Sequence, residues 1–265
     1  MVAQVQPSPP PQPLTIVPQR RRSLAHYLDG YEAEELEMRA VPTPDINGAH
    51  VPIAHSTVFD HVRDQLSDMG ERFDSVTHAL YRGGDRYIGL GLLEGPRRRG
   101  RDTVVGWFNS HDKSKAVTLL FGERVFVCFN LLLTAEVRLA RKHTRHVARD
   151  LPELVANGLS KLDDIRAIQA ARYDAYMNTR LTPKAGHDLI IRLLDERVFA
   201  GSKIPRILDE WRAPTFVEHR EDPSLMRLHN AITYHSTGIR TLARRHAKMQ
   251  QVMDEHVGFH PRPIH

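Results

Sequence analysis

Short turns separate a series of strand-like segments between Phe73 and Phe129, and this spacing limits the fold more than any other feature of the chain. Gly83-Gly84-Asp85 is a hairpin signal between the first two segments. A parallel return needs a crossover of about a dozen residues, which these connections lack. The sequence therefore predicts an antiparallel β-sheet of about five strands within residues 73–129. The predicted strands are 73–81, 86–93, 104–108, 116–121 and 124–129.

The second half of the chain has helical periodicity. Apolar residues recur at a spacing near 3.6 from Leu151 to Tyr176 and again from Leu189 to Val198. A sheet followed by helices is typical of the α+β class, with the helices of the C-terminal half covering the sheet. We predict a single α+β domain over residues 23–265, with the sheet part at 56–130 and the helical part at 131–255.

Residues 1–22 form a proline-rich stretch that ends in Arg20, Arg21 and Arg22. Such a composition lacks a helical or strand period and predicts a disordered tail. A polyproline docking motif and a basic arm on DNA are the alternatives. These three arginines also supply part of the formal net charge of +5, which leaves +2 (5 − 3) for the rest of the chain. Bulk charge is therefore weak evidence for a polyanionic partner.

Two features of the sequence indicate the cellular compartment of the protein. They are the single cysteine, Cys128, and the absence of a long apolar run. One cysteine cannot form an intrachain disulfide, which fits a reducing environment. No run approaches the roughly 20 apolar residues that span a bilayer, and the N-terminus lacks the apolar core of a signal peptide. We expect a cytoplasmic protein, inside the host cell, with no membrane partner and no cofactor.

Two groups of basic residues are candidates for phosphate contact. Arg97, Arg98, Arg99 and Arg101 lie in a loop between predicted strands, where arginine side chains can reach a flexible anionic backbone. Arg138, Arg141, Lys142 and Arg145 would gather on one helical face if the 138–149 segment is a helix. A solvated loop, and ion pairs with Glu136 and Asp150, are the alternatives. Tyr81, Tyr87, Trp107 and Phe108 on adjoining strands could stack on bases, although most are expected in the core.

An ordered series of short motifs resembles a known family. The motifs are Trp107 to Ser114, Gly122 to Asn130, Arg141 to Thr144, Trp211, and Leu228 to Thr233. Together they are similar to the phage/plasmid-like family catalogued as domain of unknown function 932, over about residues 51–238. The resemblance implies a protein of a phage, prophage or plasmid, and it brings no catalytic residues with it.

We predict structural roles for the residues that carry this resemblance. Cys128, in an alternating apolar strand, is expected in the core, with a nucleophile near His143 or His146 as the alternative. Asn109, Ser110 and Asp112 suit a hairpin turn, and Asn130 suits a cap at a strand exit. Thr144 and Asn230 are likewise assigned to structure. His143 and His146 lack a further ligand at a familiar spacing, so we predict no metal site.

We expect a non-enzymatic protein of a mobile element that binds nucleic acid through its backbone, in recombination or replication. Single-strand annealing proteins share the general plan of a sheet backed by helices and edged by arginines, and that plan allows a homo-oligomer. The alternative is a protein that binds a host protein and blunts a defence system. An enzyme ranks third, because no nucleophile is paired with a base and an orienting group.

Overall fold

A computed structural model describes residues 31–95, 101–125, 131–215, 220–235 and 239–262; at residues 101, 124–125, 131–139 and 239–243 it describes the backbone alone. The strands are β1 (Tyr31–Ala33), β2 (Phe73–Tyr81), β3 (Arg86–Leu93), β4 (Arg101–Ser110), β5 (Val117–Val125) and β6 (Leu131–Arg141). The helices are α1 (Glu35–Arg39), α2 (His55–Asp68), α3 (Val147–Leu159), α4 (Leu162–Asn178), α5 (Pro183–Asp195), α6 (Ile204–Arg212), α7 (Leu225–Tyr234) and α8 (Ile239–Val257). The proline-rich tail and Cys128 lie outside the described residues.

The sheet is an antiparallel meander in which the six strands lie in chain order. Its hairpins follow from the turn residues, since the β2–β3 connection places Gly83 and Gly84 at φ angles of 67° and 98°. The predicted α+β class, with an antiparallel sheet and helices mostly in the C-terminal half, is confirmed. The sheet has six strands where about five were predicted, because β1 and β6 lie outside the predicted range 73–129 and β5 spans parts of two predicted strands.

The predicted boundary between sheet and helices at residue 130 is wrong, because β6 follows it. Gly122 and Glu123, which separate the predicted strands 116–121 and 124–129, lie inside β5 and pair with Leu133 and Leu132. Residues 124 and 125, the start of the predicted strand 124–129, are the last two residues of β5. Residues 126–130 lie outside the described residues. Arg138 and Arg141, expected on a helix, are residues of β6.

One face of the sheet carries the first hydrophobic core. Trp107, Tyr87 and Phe121 are fully buried there, against Val58, Val62 and Leu66 of α2 and Val147, Leu151 and Val155 of α3. Gly89 and Gly91 of β3 make room for this packing, because a Cβ at Gly89 would lie 2.2 Å from the ring of Trp107 and a Cβ at Gly91 would lie 2.1 Å from the ring of Phe73.

The opposite face of the sheet buries a smaller apolar group. It comprises Ala79, Ile88, Leu90, Leu92, Val104 and Leu120, with the half-buried Tyr81 and Phe108 packed beside it. The backbone of α8 lies against β6. Successive residues of a strand point to opposite faces, so Phe108 and Trp107 belong to different layers of the protein.

The helices α4 to α8 enclose a further core around Tyr176, Leu193, Ile232 and Met253. Helix α4 joins this core to the sheet, because Leu162 and Ile165 at its start pack in the first core and Tyr176 near its end packs in the helical core. The buried Arg172 side chain of α4 donates to the Asp254 carboxylate of α8, with an Nη2–Oδ2 distance of 2.9 Å. Within the described ranges, no helix is long and apolar enough to cross a membrane.

Candidate nucleic-acid interface

A pocket opens where the β2–β3 and β4–β5 hairpins lie side by side. It has about 640 Å³ of empty space, part of it open to solvent, and is lined by Tyr81, Arg82, Arg86, Tyr87, Phe108, Asn109 and Lys115. We call the group Tyr81, Arg82, Arg86, Phe108 and Lys115 the aromatic–basic pocket. The group combines two aromatic side chains with three cationic ones.

The sheet register brings these residues together. Arg86 pairs with Tyr81 on one side and with Ser110 on the other, and Phe108 pairs with Ile88, two residues beyond Arg86. Cross-strand partners share a face, so Tyr81, Arg86 and Phe108 lie on the same face of the sheet. Of the four aromatic residues considered as stacking platforms, Tyr87 and Trp107 are fully buried in the first core, whereas Tyr81 and Phe108 are half-buried at the pocket.

The charges of the pocket are unevenly compensated. Arg86 is paired with Asp112 of the β4–β5 turn, with an Nε–Oδ2 distance of 2.6 Å. Arg82 and Lys115 are exposed, and no carboxylate of the described ranges pairs with either of them. The pocket thus presents uncompensated positive charge beside aromatic surface, two features that proteins binding single-stranded nucleic acid combine.

The β4–β5 turn that supports the pocket is held by the residues predicted for it. The Ser110 hydroxyl donates to the Lys115 carbonyl at 2.8 Å and accepts from the Lys115 backbone N–H at 3.0 Å. Asp112 accepts from the Ser114 backbone N–H at 3.1 Å, which is an Asx-type turn contact. Asn109 departs from the expected turn role, because its Nδ2 donates across the molecule to the Ile53 carbonyl at 2.8 Å.

Arg101 and Arg141, described members of the two predicted basic groups, lie at different ends of the sheet. Arg101 pairs with Val125, while Arg141 pairs with Val117 at the other end of β5. The ten residues of β4 span about 30 Å at roughly 3.3 Å per residue. Arg141, Lys142 and Arg145 therefore lie at the same end of the sheet as the aromatic–basic pocket, and Arg101 lies at the opposite end. Arg97, Arg98 and Arg99 lie outside the described residues, and Arg138 is placed within β6 by its backbone alone.

The cations after β6 are partly neutralised. Arg141 and Arg149 both pair with Asp150, as the ion-pair alternative anticipated, and these contacts hold the pKa of the Asp150 carboxyl below its usual range. Arg145 donates to the His146 ring, with an Nε–Nε2 distance of 2.8 Å. Lys142 is exposed and pairs with no carboxylate of the described segments. Lys142 and Arg145 remain available to a phosphate.

Four histidines meet beneath the pocket end of the sheet, and we call them the histidine cluster: His50, His55, His111 and His143. The rings of His55 and His111 stack with centroids 4.1 Å apart, and those of His50 and His143 are 5.2 Å apart. His55 contacts the Gly84 carbonyl through Nε2 at 2.7 Å and the Asn109 side chain through Nδ1 at 2.8 Å. The cluster therefore links the β2–β3 turn, the end of β4 and the start of α2.

Burial disfavours the charged form of three of these histidines, His55, His111 and His143. It lowers the pKa of His55 to about 4, and it lowers the pKa of His143 to about 4 with help from the neighbouring His50, while the Val51 backbone acts in the opposite direction. Burial also lowers the pKa of His111. In the described part of the chain, no three His, Cys, Asp or Glu side chains are arranged so that they could hold a metal ion.

The remaining motif residues are distributed through the fold. Thr144 lies in the turn between β6 and α3, and its backbone N–H donates to the Lys142 carbonyl at 2.9 Å. Asn230 is buried in α7. Asn130, like Cys128, lies outside the described residues. Sequence reasoning missed Arg82, Arg86 and Lys115, although Arg82 and Arg86 flank the Gly83-Gly84-Asp85 hairpin signal.

No protein-family model, curated protein or solved structure matches this chain. The resemblance to domain of unknown function 932 therefore stays a prediction.

Proposed function

We propose that this protein binds nucleic acid, with single-stranded chains as the preferred form, through the aromatic–basic pocket and the neighbouring cations Lys142 and Arg145. The observation that carries the proposal is the pairing of half-buried Tyr81 and Phe108 with exposed, unneutralised Arg82 and Lys115 in one pocket. Aromatic side chains accept any base by stacking, and cations hold the phosphates on either side. The resemblance to phage and plasmid proteins supports a role in recombination or replication inside the host cell.

The proposed binding is independent of base sequence. The side chains of the pocket offer stacking surface and positive charge, which hold bases and phosphates of any sequence. Its affinity should therefore fall steeply with salt, because each phosphate contact releases a condensed counterion. Specificity for a base sequence would require further contacts that this pocket does not provide.

Fluorescence anisotropy with a labelled single strand tests the proposal. The variant Arg82→Asn/Lys115→Gln removes both exposed cations, and Asn tolerates the left-handed backbone at residue 82, where φ is 51°. On a single strand each phosphate contact contributes about 0.7 to the slope of log affinity against log salt, so the variant slope should be smaller by about 1.4.

The matched control is Lys184→Gln/Arg206→Asn, which removes the same charge from exposed positions on α5 and α6. The control should keep the wild-type slope. Equal slopes for the pocket variant and the wild type, or no binding by the wild type at low salt, would contradict the proposal. Circular dichroism of each variant confirms that the fold is kept.

A further inference from the structure

A second concave surface lies among the helices, far along the chain from the aromatic–basic pocket. It has about 750 Å³ of empty space, part of it open, and is lined by Leu181, Pro183, His187, Trp211, Arg212, Pro223 and Arg227. We call it the Trp211 groove. It brings together the α4–α5 connection, α5, α6 and the segment before α7.

The groove is built on fixed contacts. The Leu181 backbone N–H donates to the Pro223 carbonyl at 2.8 Å, and Arg180 forms an antiparallel bridge with Ser224, so the two connecting segments are held side by side. The Trp211 ring lies on Gly186, where a Cβ would be only 2.1 Å from it. Arg227 donates to the Trp211 carbonyl at 2.6 Å and to the Arg212 carbonyl at 2.6 Å.

The groove has more donors than acceptors. The Trp211 side chain is 6% exposed, and its Nε1–H is buried with no hydrogen-bond partner in the described segments. Arg212 is exposed and contacts the His187 ring at 3.2 Å, and no carboxylate of the described segments pairs with it. The Trp211 Nε1–H has almost no accessible surface, so the donors that a ligand can reach are those of Arg212, and a ligand that supplies carbonyl oxygens can pair with them.

The chain itself carries a segment with that chemistry. Five of the seven residues from Pro7 to Pro13, in the sequence PSPPPQP, are proline. Proline has no N–H, and a polyproline II helix makes no internal hydrogen bonds, so the carbonyl oxygens of such a segment are unpaired acceptors. Aromatic-lined grooves bind this conformation at low entropic cost because it is already extended.

The segment is also long enough to reach the groove. Seventeen residues lie between Pro13 and Tyr31, the first described residue, and they span up to roughly 55–60 Å when extended. A compact chain of this size has a radius of gyration of about 18 Å. We infer that the Pro7–Pro13 segment docks in the Trp211 groove of the same chain, with its carbonyl oxygens paired to the Arg212 donors and its apolar rings against the surface formed by Leu181, Pro183, Trp211 and Pro223.

This docking is independent of nucleic-acid binding, and either proposal can fail without the other. A short tether gives the bound segment an effective concentration in the millimolar range, so an external peptide must compete against it.

The test uses the full chain labelled with ¹⁵N. The two tryptophans give two indole N–H signals, which Trp107→Phe and Trp211→Phe variants assign. Substituting Pro9, Pro10 and Pro11 with Ala should move the Trp211 signal and leave the Trp107 signal in place, because Trp107 is fully buried in the other core. The control, Thr15→Ala/Ile16→Ala/Val17→Ala, alters the same tail outside the proline run and should move neither signal.

A synthetic peptide of residues 1–18 provides the second measurement. It should bind the proline variant at least about tenfold more tightly than the wild type and return the Trp211 signal to its wild-type position. The substitution His187→Ala/Arg212→Ala in the proline variant should abolish this effect, and Lys184→Ala should not. The inference is overturned if the Trp211 signal is the same with and without the prolines, if the peptide fails to move it, or if the wild-type position appears only in a dimer.

Discussion

At the scale of single residues, Gly89 shows how the sheet accommodates its largest side chain. The Trp107 ring lies across this glycine, and its Nε1 donates to the Tyr87 hydroxyl at 3.0 Å, which fixes the ring in place. A methyl group at residue 89 would meet ring atoms that are fully buried and cannot move aside. The absence of a side chain at this position is therefore a packing requirement.

The substitution Gly89→Ala should lower the free energy of unfolding by about 1–3 kcal/mol, the usual cost of overpacking a core. Urea denaturation measures this change. Gly201→Ala is the matched control, because nothing lies within 4 Å of a Cβ at Gly201, and it should change the free energy by less than about 0.5 kcal/mol. An equal effect of the two substitutions would show that Trp107 is not held against Gly89.

Residues next to each other also show what the sequence could not decide. Strand alternation predicts that Trp107 and Phe108 point to opposite faces, but not which face the helices cover. The covered face depends on where α2 and α3 pack, and these helices are far apart in the sequence, since α2 precedes β2 and α3 follows β6. Consequently the aromatic residues could be proposed as stacking platforms from the sequence, whereas the choice of Tyr81 and Phe108 over Tyr87 and Trp107 required the fold.

At the scale of elements, the histidine cluster joins parts of the chain that no local pattern relates. His50 precedes α2, His55 is in its first turn, His111 follows β4 and His143 follows β6. The rings of His55, His111 and His143 are buried between these elements, and protonation of these three would place several positive charges in one buried space. The cluster should therefore make the junction of these elements sensitive to acid.

The pKa of His55 and the pKa of His143 are both about 4 in the folded protein, below the ordinary value near 6.5. The unfolded chain then binds more protons than the folded one between pH 6.5 and pH 4, so the free energy of unfolding should be highest above pH 6.5 and should fall as the pH drops towards 4. Urea unfolding at pH 7, 5.5 and 4.5 measures this loss.

The variant His143→Leu should lose less stability across that interval, because one of the depressed groups is gone. His260→Gln, at an exposed position, is the control and should behave as the wild type. A loss of stability that is the same in all three proteins would remove His143 as a cause.

The sequence of β6 has the alternation of a strand, but we predicted a helix there. Thr134, Glu136 and Arg138 alternate with Leu133, Val137 and Leu139, a period of two that favours a strand. The prediction followed the cluster of cations from Arg138 to Arg149 instead, because a helix would gather them on one face. The turn between β6 and α3 divides that cluster between a strand and a helix, although Arg141 and Arg149 from its two sides meet at Asp150.

At the scale of the whole molecule, the sheet separates Arg101 from Arg141, one residue of each predicted basic group, by the length of its strands. The α+β class and the antiparallel hairpins could be predicted because they depend on local turns and periods. The assembly of the pocket from two hairpins depends on the register of strands, which the sequence does not show. This arrangement makes the end of the sheet that carries Tyr81 and Phe108 the proposed nucleic-acid surface.

Photo-crosslinking locates that surface directly. A single strand containing 5-bromouracil is bound at low salt and irradiated, and the attached peptides are identified by mass spectrometry. We expect crosslinks on the peptides that contain Tyr81 or Phe108, with their yield reduced in Arg82→Asn/Lys115→Gln and unchanged in Lys184→Gln/Arg206→Asn. Crosslinks confined to the helical segment 147–257, or a yield unaffected by the pocket substitutions, would contradict the proposed interface.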